Sequence, residues 1–191
     1  MDALVEHALD LGASDAKAMS AGKVRVHARF TAFCARQPCP GYDKSPNCPP
    51  HVMPPDSFEK LLAAHHSALA FKFDVPTSIL VSDARMEIVK KVHLIAAQLE
   101  HKALELGAAQ AWGLAAGSCW QAFCAEQGPC PALSSPEKCR YPEKARPSLS
   151  GLGIDVFQLC ADLGWPIEKI TTQTDPDQIP LGLMMGLVLL G

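Results

Sequence analysis

Much that would identify a reaction is missing from this 191-residue chain. There is no glycine-rich phosphate loop, no Ser-His-Asp arrangement and no His-Glu-x-x-His, so neither nucleotide nor hydrolase chemistry has a motif to rest on. No secretory leader is expected from the opening residues. MDALVEHALDLGA is an acidic amphipathic pattern instead, and the expectation is a cytoplasmic, reducing location. The apolar stretch from Leu181 to Leu190 falls short of the roughly 20 residues that a membrane-spanning helix needs, and it reads as a buried strand. A net charge of -3 gives no global reason to expect nucleic acid or a membrane as partner. With 48% of its residues hydrophobic, the chain can bury a core without covalent staples, and residues 1–191 are expected to form one domain.

What the chain does have is eight cysteines, most of them in a stretch that occurs twice. Ala32-Phe33-Cys34-Ala35 returns as Ala122-Phe123-Cys124-Ala125, Gln37 as Gln127, and Pro38-Cys39-Pro40 as Pro129-Cys130-Pro131. Cys48 follows Cys39 at the separation that puts Cys139 after Cys130. Upstream, Ala8-Leu9-Asp10-Leu11-Gly12-Ala13 returns as Ala103-Leu104-Glu105-Leu106-Gly107-Ala108. An internal duplication is expected, with repeat halves at about 1–80 and 81–191.

Periodicity supplies the elements. Helical spacing of Leu4, Val5, Ala8, Leu9 and Leu11, stopped by Gly12, predicts a first helix from Asp2 to Leu11. A strand is expected over Asp15 to Ser20, then a turn, then an alternating strand from Lys23 to Phe30 with Lys23, Arg25, His27 and Arg29 on one basic face. Further elements are a helix from Asp56 to about His66, a strand from Ala68 to Phe73 and a long helix from Ser82 or Asp83 to Gly107. A strand over Ala109 to Ala115, a helix from Ile154 to Leu163 and a closing strand from Leu183 to Leu190 complete the chain. Each half thus reads helix, strand, cysteine loop, helix, strand. The fold class is α/β, with a mainly parallel or mixed sheet, helices packed on it and the Lys23 hairpin as an antiparallel addition.

Cys34, Cys39 and Cys48, and Cys119, Cys124, Cys130 and Cys139, lie in loops crowded with Pro and Gly. Converging thiolates in a reducing setting bind zinc or iron-sulfur groups. Structural zinc sites are usually built from close C-x(2-4)-C pairs joined to a distant second pair, whereas here the successive gaps are four and eight, then four, five and eight. Cys-Pro at Cys39, Cys48 and Cys130 is a ferredoxin habit, so iron-sulfur of the 4Fe-4S kind is favoured and zinc is the alternative. His51, just past Cys48-Pro49-Pro50, is a candidate fourth ligand for the first set, or else a surface histidine. Cys160, on an amphipathic helix, reads as a core residue. Arg140, Lys144 and Arg146 form part of a basic cluster suited to offsetting thiolate charge, or to holding an anion or a partner.

Gly41-Tyr42 ahead of Cys48-Pro49-Pro50, and CRYPEKARPSLSGLGIDVF from Cys139 to Phe157, resemble a bacterial and archaeal family of predicted metal-binding, cysteine-rich proteins. Over most of the chain, the family's three-cysteine group ending in Cys-Pro-Pro maps onto Cys34, Cys39 and Cys48. Its four-cysteine group ending in Cys-Arg-x-Pro maps onto Cys119, Cys124, Cys130 and Cys139. The resemblance implies metal binding and supplies no reaction. Three functions follow: electron transfer to a redox partner protein, chemistry on a small anionic ligand at an iron left open by a three-thiolate set, and a zinc-stapled interaction module.

Overall fold

Helix α1 (Asp2–Asp10) buries Leu4 and Ala8, which lie one turn apart on one face. The computed structural model, which describes residues 1–36 and 39–191, continues with strand β1 (Asp15–Ser20), a short 3₁₀ turn (Ala21–Lys23) and α2 (Ala28–Arg36). The Gln37-Pro38 part of the repeat lies outside the described residues. After the first cysteine loop come α3 (Pro55–Leu62), β2 (Ser67–Pro76), α4 (Thr77–Leu80), the long α5 (Arg85–Glu105) and β3 (Ala111–Ala115). Then follow α6 (Cys119–Phe123), the second cysteine loop, α7 (Val156–Asp162) and β4 (Leu181–Leu190).

The four strands form one sheet in the order β1-β2-β4-β3, and all three pairings are antiparallel. This corrects the expected parallel or mixed sheet. A strand, a helix and a second strand do give two strands running the same way, and β2 and β3, joined through α5, obey that rule. They are not neighbours, however, because the C-terminal β4 inserts between them and pairs antiparallel with both, Ala70 and Leu114 each facing Leu187. As an inner strand covered on both faces, β4 is the near-continuous apolar run seen in the sequence. One core lies between the sheet and α1 with α5, around Phe71, Val92, Ile95 and Leu99. The other lies beneath α3 and α7, around Phe58, Leu152, Leu159 and Leu187.

The expected Lys23–Phe30 strand is also corrected. Val24 and Val26 are buried between exposed neighbours, but the extended stretch ends in a single bridge from Val26 to Ile154, and β1 pairs with β2 instead. From Ala28 the apolar residues Phe30, Phe33 and Cys34 follow helical spacing, and that period wins. Arg29, from the expected basic face, leans toward Asp155 at 3.5 Å.

The repeated hexapeptide stops both helices in the same way. Gly12 (φ 89) donates to the Leu9 carbonyl and Ala13 to that of Ala8, and Gly107 (φ 94) donates to Leu104 and Ala108 to Ala103. This paired glycine stop satisfies carbonyls that the helix end leaves open. Among the described residues no helix is long and apolar enough to cross a membrane.

Candidate metal centre

The site is built where β3 ends. Ala115 donates to the Pro147 carbonyl and accepts from Leu149 N, so the chain leaving the second loop runs parallel to the end of β3. One residue along, Ser148 N donates to the Asn47 carbonyl of the first loop at 3.0 Å. The two cysteine loops therefore meet beside Gly117-Ser118-Cys119. Gly41 permits the contact, since a Cβ there would stand 2.5 Å from Ser118 Cβ and 3.6 Å from Cys48 Sγ.

In the first loop, Cys34 sits on the exposed helix α2, Cys39 is exposed and Cys48 is buried. Cys34 and Cys39 are within hydrogen-bond reach of each other. That bond, with the amides of Gly41 and Tyr42, holds Cys39 down to about 6 and raises Cys34. Burial pushes Cys48 up to about 11, against the pull of the Ser118 and Ser45 hydroxyls.

Cys119, at the start of α6, lies against both loops. Its sulfur takes a hydrogen bond from Asn47 Nδ2 at 3.4 Å and lies 3.5 Å from Ser45 Oγ, and it feels the charges of Cys130 and Cys139. Burial raises its pKa, and the two first-loop donors oppose the rise. Burial likewise raises Cys124, with Arg140 opposing. Arg140 also closes the loop on itself, donating to the carbonyls of Pro129 and Gln127, both at 3.1 Å. Two turns repeat between the loops: Tyr42 N donates to Cys39 O as Leu133 N does to Cys130 O, and Cys48 and Cys139 each donate to the carbonyl three residues before.

Other sequence candidates have different places. His51 pairs through Nε2 with Asp43 Oδ1 at 2.6 Å. Lys144 stands over the Tyr141 ring, 5.8 Å from its centroid. Arg146 makes a two-pronged pair with Glu100, at 2.9 Å on both oxygens, and gives its remaining amine to the carbonyls of Pro142 and Ala145. It is a fastener of the second loop, with its guanidinium already engaged by the protein. Cys160 is fully buried, its sulfur 3.7 Å from Met185 Sδ.

Sequence reasoning missed Ser45, Asn47 and Ser118, and it missed the anchor formed by His93 and Glu100. Glu100 also accepts from Gly113 N, and His93 Nδ1 accepts from Arg146 N at 3.2 Å. Burial and the Arg146 charge hold His93 neutral, lowered to about 4, with the Gly117 carbonyl pulling the other way. The available signal was two polar residues seven apart, two helical turns, on the otherwise apolar stripe of α5.

Among the described residues no three His, Cys, Asp or Glu side chains stand close enough to enclose a single metal ion. Seven thiols in two adjoining groups, with hydroxyl, amide and guanidinium donors beside them, are nevertheless a soft donor set of the kind a metal-binding protein presents. The comparison with known families agrees: the chain belongs to the family described as "Predicted metal-binding protein (DUF2284)", which matches residues 17–190. No curated protein and no solved structure matches the chain.

Proposed function

We propose that the metal is an iron-sulfur group, held at two adjoining sites, one by Cys34, Cys39 and Cys48 and the other by Cys119, Cys124, Cys130 and Cys139, and that the protein passes electrons to or from a partner. The observation that carries this reading is the sharing of charge among the loop cysteines: Cys39 and Cys48 act on Cys34, Cys119 acts on Cys48, and Cys130 and Cys139 act on both Cys119 and Cys124. Cys-Pro at Cys39, Cys48 and Cys130 favours iron-sulfur over zinc. Arg140 beside Cys124 is the cation that offsets thiolate charge. Internal duplication belongs to the same proposal, supported by the matched helix stops, the matched turns after Cys39 and Cys130, and a sheet in which each half supplies one edge and one inner strand.

A second reading, catalysis at the first site, is favoured by one feature. Three thiolates leave one iron position for His51, water or a substrate. An apolar cavity of about 460 Å³ runs between Phe30 and Phe33 of α2, the helix that carries Cys34, and Ala116-Gly117, just before Cys119. Anaerobic purification followed by absorption spectroscopy and analysis of iron, sulfide and zinc tests the proposal. Brown protein with iron and sulfide supports it, and colourless protein with stoichiometric zinc overturns it. Small anions that shift the spectrum of one cluster and leave the other unchanged would favour the second reading.

A further inference from the structure

Each cysteine loop offers hydrogen-bond donors to a sulfur of the other. Ser118 belongs to the second loop, immediately before Cys119, and only 2% of its surface is exposed. Its Oγ completes no hydrogen bond with a described residue, although its hydroxyl stands near enough to Cys48 to act on that thiol. Both atoms border the crevice over Gly41, where a Cβ would be 2.7 Å from Ser118 Oγ and 3.6 Å from Cys48 Sγ. In the opposite direction, Asn47 and Ser45 belong to the first loop and serve Cys119, at 3.4 Å and 3.5 Å. With Cys119 as a free thiol, its S–H donates to Ser45. A metal-bound thiolate has no proton, and the hydroxyl then donates to it. Ser118 likewise gains a strong acceptor only when Cys48 carries charge.

We propose that Ser118, Asn47 and Ser45 form a crossed donor bridge, through which the second loop sets the retention and potential of the metal group held by Cys48, and the first loop sets those of the group held by Cys119. Hydrogen bonds to cluster sulfurs raise a reduction potential, and partners that orient ligands strengthen metal retention. The proposal rests on the metal-centre reading above.

The test uses the whole, metal-loaded chain with Ser118→Ala or Asn47→Leu. A strong chelator is added, released metal is followed with time, and the freed cysteines are identified by alkylation and peptide mass mapping, a readout that serves iron or zinc. Ser118→Ala should free Cys34, Cys39 and Cys48 about 10-fold faster and spare the second set, and Asn47→Leu should do the reverse. In iron-sulfur protein, a redox titration followed by electron paramagnetic resonance should show each variant lowering the potential of the group on the opposite loop. Variants that retain both sets like the parent chain, or that each weaken their own loop, overturn the bridge. A parent chain that binds no metal overturns the metal-centre reading itself.

Discussion

The two cysteine loops carry similar sequence but are held very differently. The second is tied on every side: Arg140 to two carbonyls, Gln127 to Tyr141 at 2.6 Å, Trp120 to Gly128, and Arg146 to Glu100 with His93 beneath. The first loop hangs from α2, a helix with no buried residue; Thr31 ties that helix to Gly151, Asn47 ties the loop to Ser148 and to Cys119, and Gly41 fits against Ser118. In the reading proposed above, similar ligands on unequal supports make the second site the retained group and the first the one where ligands come and go.

The strongest way to break this contrast is to remove the second loop's anchor. Glu100→Ala leaves Arg146 buried without its carboxylate and Gly113 N without an acceptor. The expected loss is about 3–5 kcal/mol of unfolding free energy, with the second site emptied first, checked by urea titration and metal analysis. His93 gives a slightly smaller effect through pH. The unfolded chain protonates this residue near its ordinary 6.5, and the folded chain resists until about 4. Stability should therefore be full above about pH 6.5 and fall as the pH drops toward 4, by at most about 3 kcal/mol. His93→Gln should flatten that slope in denaturation curves taken across the window.

Thiol chemistry sharpens the same comparison. In metal-free protein at pH 7, iodoacetamide should reach the exposed Cys39 first, because the Cys34 hydrogen bond holds it largely as thiolate. Cys48, Cys119 and the core Cys160, all buried and raised, should react last, and peptide mass mapping over time gives the order. If Cys130 outran Cys39, the first loop would not be the more reactive one. The smallest effect is expected from Cys160→Ala, which removes a core sulfur packed against Met185 and should leave metal content unchanged.

Some of this was legible in the residues and some was not. The repeated Leu-Gly-Ala stops, the long apolar stripe of α5 and the apolar run of β4 each express a local rule, and the helices and strands appear within a few residues of where those rules put them. The Lys23–Phe30 alternation misled because it spans the border between a short extended stretch and a helix. Arg146 looked like a free cation because its partner, Glu100, is 46 residues away in sequence.

The sequence by itself determined which residue types gather in the loops, where the helices stop and which strand must be buried on both faces. All of these depend on neighbours within a few positions along the chain. Only the tertiary structure decided that β4 enters between β2 and β3 and that Cys119 touches both loops. It alone placed Asn47 and Ser45 on the Cys119 sulfur and set Ser118 beside the crevice over Gly41. Strand order and cross-loop contact are set by how two apolar faces close over one sheet, and no local spacing encodes that choice.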